Sequence, residues 1–381
     1  MEKVNILMAT YNGRRYVAKQ IESILNQTYQ DFRLIISDDC STDSTLKILE
    51  EYEAKDNRIE IFHQGENLGV VANFEFLIGK VRSEYFMFAD QDDIWEPDKI
   101  EKSVKKLEEE KLDLVYTDLA VVDSRLHEIA PSYWRLKGLD YRIKKYNNFE
   151  SLYLNNFVTG CTMLVRSKWI NEFMPLPKES KYVLHDYWIS LMVSQNGRIG
   201  YIDEPTMKYR QHKDNKIGSK TRSEQMSTLD DVRNLFITVK IEHFTVFIKN
   251  QAKFQSKSIQ ELNQKALKYY EDLKAVKKFT LKGITLFFKL YKYESFDYKI
   301  KNLAILHFPG IARPYFKKQK EKRELEESLK RKEELEAKIE RKKKAKERKE
   351  EKLRKEEARN KRRLEKEKKE KEKTKTKANK K

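Results

Sequence analysis

Phe86-Met87-Phe88-Ala89-Asp90-Gln91-Asp92-Asp93-Ile94-Trp95 decides how this chain is read. An apolar run of strand character ends in three carboxylates within four residues, followed by Trp95 and then Pro97, which can open a helix. Like charges this close repel one another. A fold accommodates them when a hard divalent cation, Mg²⁺ or Mn²⁺, sits among them with phosphate oxygens on its far side. An isolated D-x-D-D reads first as a solvated acidic turn, so its surroundings matter.

Outward from this stretch, strand-like and helix-like segments alternate from Val4 to about Asp118. Val4–Ala9 reads as a buried strand ending in the turn Thr10-Tyr11-Asn12-Gly13, with helical spacing from Tyr16 to Leu25. Phe32–Ile36 is a second strand, ending at Ser37-Asp38-Asp39-Cys40-Ser41-Thr42-Asp43, before a helix from about Ser44 to Tyr52. Ile59–His63 is a third, and Asn67-Leu68-Gly69 turns into a helix from about Val70 to Val81. Beyond the acidic stretch come a helix over Pro97–Lys111 and a strand at Leu114–Tyr116. Repeated β-α-β units predict an α/β fold, Rossmann-like, with a mostly parallel sheet and helices on both faces. Ligands of such sheets bind beyond the carboxyl ends of the strands. The turns Thr10–Gly13, Asp38–Asp43 and Asp90–Asp93 are therefore expected to share one edge and one site.

From Phe149 to Ile217 the pattern is irregular, and from Ser223 to Ile305 helical spacing dominates. Between Lys282 and Lys301, Ile284, Leu286, Phe287 and Phe288 alternate with Lys282, Lys289, Lys292 and Lys299. That composition suits a helix lying on an anionic lipid surface, and equally one packed on its own domain with solvated lysines. The 381 residues carry a net charge of +19, of which residues 317–381 supply +15 from 32 basic and 17 acidic residues. In this tail many Glu residues precede a base by four, as in Glu326–Lys330 and Glu357–Lys361, which predicts partial solvated helix fraying to disorder, while Leu325, Leu329, Leu335, Ile339, Leu353 and Leu364 are too widely spaced to sustain an a/d seam. The tail has no interleaved aromatics, so nucleic acid is not the expected partner; an anionic membrane surface or an acidic protein is. Cys40 and Cys161 make no disulfide framework and no C-x-x-C zinc pair, which fits a reducing, cytoplasmic location. No signal peptide and no span of about 18 apolar residues is expected. Three regions follow: a catalytic domain over 1–220, a helical and membrane-associating region over 221–316, and the charged tail over 317–381.

The three turns, in their order and separation, resemble the signature turns of family-2 glycosyltransferases with the GT-A fold. Asn67–Phe74, Gly160-Cys161-Thr162, His185-Asp186-Tyr187-Trp188 and Tyr209-Arg210-Gln211-His212, with Asn215 and Gly218 following, are most similar to bacterial rhamnosyltransferases. The resemblance covers roughly residues 1–220. It implies that Thr10, Tyr11, Asp38, Asp39, Asp90, Asp92 and Arg210 bind a nucleotide-sugar donor. Asp39 would accept from the base N3–H, with Asp38 binding nearby or bracing the loop. Asp92 and His212 would hold Mn²⁺ or Mg²⁺ on the diphosphate. Asp186 would be the general base for an inverting displacement, with Gly160, Cys161 and Trp188 on the acceptor side. The Q-x-x-R-W motif of processive members is missing, which implies addition of one or a few sugars. The implied activity is transfer of a sugar, L-rhamnose from dTDP-L-rhamnose, to a lipid-linked glycan at the inner face of the cell membrane in bacterial surface polysaccharide synthesis. The alternatives are a UDP-hexose or UDP-N-acetylhexosamine donor, or a catalytically idle scaffold organised by the tail.

Overall fold

A computed structural model describes residues 2–145, 147–212, 228–275, 281–294 and 296–314, with a few single positions beyond. The strands are β1 (Val4–Thr10), β2 (Phe32–Asp38), β3 (Ile59–His63), β4 (Tyr85–Asp90), β5 (Ile94–Trp95), β6 (Leu114–Asp123), β7 (Glu128–Ala130), β8 (Leu164–Arg166) and β9 (Ile199–Gln211). Through β4 they are separated by α1 (Val17–Leu25), α2 (Thr45–Glu53) and α3 (Val70–Ile78), and α4 (Lys99–Glu109) precedes β6. The sheet runs in the order β3-β2-β1-β4-β8-β6-β9-β5, with β7 beside β6. β1 lies parallel to β2 and β4, and β2 parallel to β3, as the β-α-β reading required. Almost every residue of β1 and β2 is buried, as expected for central strands covered by helices on both faces.

Past β4 the sheet becomes mixed. β8 is antiparallel to both β4 and β6, and β9 is parallel to β6. The thirteen-residue β9 was hidden in the sequence because Asp203-Glu204-Pro205 interrupts its apolar pattern. Pro205 sits opposite Asp118 where the β6–β9 register shifts, a bulge that absorbs a residue unable to donate to the ladder.

Seven short or medium helices precede the chain's last segments: α5 (Tyr133–Lys137), α6 (Asp140–Lys145), α7 (Phe149–Leu154), α8 (Ile170–Phe173), α9 (His185–Ser194), α10 (Leu229–Lys249) and α11 (Lys257–Ala275). Then come α12 (Leu281–Leu290) and α13 (Phe296–His307). α9 is apolar all round: Tyr187, Trp188, Ile189, Leu191, Met192 and Val193 are all buried. Such a helix needs cover on every side. α10 supplies it, so one core joins Phe74 and Phe88 to Phe244, Phe247, Tyr270 and Phe287. The boundary expected at residue 220 is therefore not a packing boundary. Met1–Ala312 form one compact unit and Arg313–Lys381 a second. Asn215, Gly218 and all of the tail's Glu–base pairs lie outside the described residues. Among the described residues no helix is long and apolar enough to cross a membrane.

Trp188 corrects one expectation. It is wholly buried, its Nε1 donates to the Phe173 carbonyl at 2.8 Å, and it packs against Phe247 and Phe254, so it cannot touch an acceptor. Trp188→Ala should cost about 3–5 kcal/mol of unfolding free energy, read as a lower denaturant midpoint with an unchanged slope.

Candidate active site

Strand register brings the three turns together. Thr10 pairs with Asp38 across β1–β2, and Ala9 pairs with Asp90 across β1–β4. Their loops open on a cleft of about 410 Å³ whose walls include Thr10, Tyr11, Asp39, Asp90, Asp92 and His212.

The donor-side residues divide by orientation. Asp38 is wholly buried; it accepts from Thr10 Oγ1 at 2.9 Å, Ser41 N at 2.9 Å and Ser41 Oγ at 2.6 Å. It braces the turn and does not face a ligand. Asp39 lines the cleft, each oxygen accepting one amide, Leu68 N at 2.7 Å and Gly69 N at 3.0 Å. A carboxylate offers about four acceptor positions, so Asp39 keeps capacity for a ligand donor. Gly69 adopts φ +80, which the turn presenting those amides requires.

Gln91, given no role from sequence, clamps two loops. Its Oε1 accepts from Tyr11 N at 2.9 Å and its Nε2 donates to Tyr11 O at 3.0 Å. A Cβ on residue 13 would stand 2.1 Å from Gln91 Oε1, which explains the glycine. Gly13→Ala should displace the amide and break both bonds, roughly 2 kcal/mol. We expect donor KM to rise about 10-fold, with Gln91→Ala adding little on top, since the two substitutions remove the same clamp.

Behind the acidic loop the polar groups are structural. Arg210 is 2% exposed; its Nε donates to Asp92 O at 2.7 Å, its Nη1 to Ser124 O at 3.2 Å, and its main-chain N to Asp93 Oδ1 at 3.1 Å. It secures the loop from beneath, contrary to the expected contact with a diphosphate. Cys161 is buried as well, its thiol pushed up by burial, so its side chain does not meet an acceptor. Its carbonyl accepts from the buried Lys99 Nζ at 2.9 Å, a lysine that burial pulls down to about 8.

Two groupings could hold a cation. Asp90, Asp93 and Cys161 bring ligand atoms within 4.8 Å of one another, but Asp93 and Cys161 are buried and neither lines the cleft. Asp92 Oδ2 and His212 Nε2 are 2.7 Å apart and both line it. The cleft pair, oxygen and nitrogen beside Asp90, suits a hard cation that must also reach phosphate oxygens; a protonated thiol does not. Asp90 itself is pushed up to about 7 by burial and by the charges of Asp92 and Asp186.

Asp186 occupies the first turn of α9, where the helix dipole favours an anion. Its Oδ1 accepts from Tyr187 N at 2.6 Å. Burial nonetheless pushes it up to about 6, partly offset by hydrogen bonds from the Tyr187 and Gly160 amides and the Asn156 side chain. Gly160 is buried, and a Cβ there would meet His185 Nε2 at 2.9 Å and Asp186 Cβ at 3.4 Å. The small residue thus admits the first turn of α9, where a close approach to a sugar had been expected. His185 lies between Phe74 and Phe88, at ring separations of 4.2 and 4.9 Å, and burial pulls it down to about 3, so it stays neutral.

The next residue ties α9 down. Tyr187 Oη lies 2.9 Å from Leu152 O, 3.0 Å from Tyr153 O and 2.6 Å from His243 Nε2. The phenol has one proton, which the two carbonyls share, so His243 Nε2–H donates to Oη. Burial, then Lys240, holds His243 neutral. No sequence signal linked His243, almost sixty residues on, to Asp186.

A parallel sheet core with carboxylates beyond its strand ends, and a further carboxylate in the first turn of α9 within electrostatic reach of Asp90, is the arrangement of a GT-A glycosyltransferase. The description "Glycosyl transferase family 2" matches residues 5–173. An uncharacterised glycosyltransferase of Haemophilus influenzae is 29% identical over 312 residues, covering 80% of this chain and 95% of the relative. The dTDP-rhamnosyl transferase RfbG of Shigella flexneri is 32% identical over 223 residues, covering 56% and 74%. In fold, the chain is similar to S. aureus TarS 1–349 in complex with UDP-GlcNAc, with a TM-score of 0.50 at 16% identity, covering 77% and 82%. The chain belongs to glycosyl transferase family 2.

Proposed function

We propose that this glycosyltransferase is an inverting, cation-dependent rhamnosyltransferase acting on a lipid-linked glycan at the inner face of a bacterial membrane. The observation that carries the reaction is Asp186, a carboxyl poised near 6 within electrostatic reach of Asp90. A base with that affinity is ionised at neutral pH and still takes a proton well.

In the reaction, Tyr11 and Asp39 bind the nucleotide base, and Thr10, fixed on Asp38, shapes the wall beside it. Asp90 faces the ribose or sugar. Asp92 and His212 would hold Mn²⁺ or Mg²⁺, which when bound stabilises the charge developing on the leaving diphosphate. The acceptor oxygen attacks the anomeric carbon as the bond to the diphosphate breaks. Asp186 removes the acceptor proton, and a β-linked donor gives an α-linked product. Activity should fall as pH drops through about 6, where Asp186 protonates.

The relative from Shigella flexneri, named as a dTDP-rhamnosyl transferase, supports the donor. A UDP-sugar donor is the second reading, favoured by the similarity in fold to a protein solved with UDP-GlcNAc. Turnover with dTDP-rhamnose, UDP-glucose, UDP-galactose and UDP-N-acetylglucosamine, each with Mn²⁺ or Mg²⁺ and a lipid-linked acceptor, separates them. Release of dTDP alone supports rhamnosyl transfer; preference for a UDP-sugar overturns the donor and keeps the mechanism.

A further inference from the structure

Away from the cleft, a cavity of about 730 Å³ opens between α11 and α12. Leu262, Leu273 and Leu286 give it an apolar floor. Its charged lining is four lysines to one acid, with Lys265, Lys268 and Asp272 on α11 and Lys282 and Lys289 on α12. The two lysines on α11 already face acids, Glu261 at 3.5 Å and Asp272 at 3.6 Å. Among the described residues, Lys282 and Lys289 form no ion pair.

The outer surface of α12 adds a second, independent observation. Leu281 is 77% and Phe288 43% exposed, while Gly283, Phe287 and Leu290 are buried beneath. Leu281 and Phe288 are seven residues apart, and so are Lys282 and Lys289. Each pair therefore lines up along the helix, an apolar stripe beside a cationic one. Water favours only the second stripe. An acidic protein surface would satisfy the lysines and leave the apolar stripe and cavity floor unmatched. A zwitterionic bilayer would do the reverse.

From this juxtaposition we infer that the cavity between α11 and α12 seats an anionic phospholipid of a bilayer. Its headgroup phosphate lies between Lys282 and Lys289, and its first methylenes lie on Leu262, Leu273 and Leu286. The volume falls within the roughly 300–1,000 Å³ of pockets that enclose small ligands. Leu281 and Phe288 then enter the acyl boundary at the depth where the ammonium groups meet phosphates. The inference deepens the membrane-side placement proposed above and is independent of donor and reaction.

Its test must see α12 and not the basic tail, which can hold anionic vesicles unaided. In the full-length chain carrying Phe288→Trp, vesicles of phosphatidylglycerol and phosphatidylcholine should shift the new tryptophan emission to shorter wavelength. Brominated phosphatidylglycerol should quench it, and phosphatidylcholine alone should do neither. Adding Lys282→Glu and Lys289→Glu should weaken the lipid response about 25-fold or more, because each basic residue contributes roughly five-fold at an anionic surface. Neither lysine lines the cleft, so the thermal midpoint and the release of nucleotide from donor should not change. Vesicle co-sedimentation with unmoved emission would assign docking to the tail and overturn the inference. Competition by glycerol 3-phosphate as effective as by vesicles would make this a free-phosphate site and overturn it too. Failure of the donor panel above would leave this outcome untouched.

Discussion

Asp186→Asn is expected to lower kcat about 10²–10⁴-fold, the range for losing a positioned general base, with donor KM within a few-fold of the parent. The asparagine keeps the size and the first-turn position on α9 but cannot accept the acceptor's proton. The same substitution should raise stability at neutral pH. Folding lifts this carboxyl from 3.8 to about 6, so between those values the folded chain binds more protons than the unfolded one. Stability tied to Asp186 is therefore present at low pH and lost as pH rises through about 6. Replacing the ionised carboxylate removes that loss. Turnover assays and thermal melts on one preparation check both halves; a variant that is slower and also less stable would show a distorted α9 instead.

Asp92→Asn should cost about 10³-fold in kcat/KM, several kcal/mol of stabilisation for the leaving diphosphate. Asp92 Oδ2 and His212 Nε2 face each other at 2.7 Å in the cleft, so removing the charge leaves the imidazole as the main ligand. The residual activity should lose its response to added Mn²⁺ and to chelator. Asp90 should respond in the opposite sense: without the neighbouring charge that helps raise it, its proton should leave at lower pH. Retained stimulation by Mn²⁺ would move the cation toward the buried Asp90–Asp93–Cys161 grouping.

The four-strand core was legible because its strands are short apolar runs and its turns carry unmistakable polar clusters. β3 fell on Ile59–His63 and α1 ended at Leu25 as read. What sequence could not show was the direction in which a polar residue points. Asp38 and Asp39 are neighbours, yet one turns under the loop and the other into the cleft. Arg210 has the right chemistry for a diphosphate and spends it on the carbonyls of Asp92 and Ser124. Trp188 and Cys161 stand beside motif residues and face the core. The helical region looked separate because its own spacing is regular. Only the all-round burial of α9 reveals that α10 is the missing wall of the catalytic core.

The fit between Gly13 and Gln91 bears on how such a cleft can diversify. The two positions are almost eighty residues apart in the chain, yet the amide of one occupies the space a methyl on the other would need. A lineage that trades Gln91 for a shorter residue frees position 13 to take a side chain. One that keeps Gln91 admits a side chain there only by moving the amide off Tyr11. Across relatives the pair should change in concert, with the shape of the nucleotide wall at Tyr11 inherited as a single character.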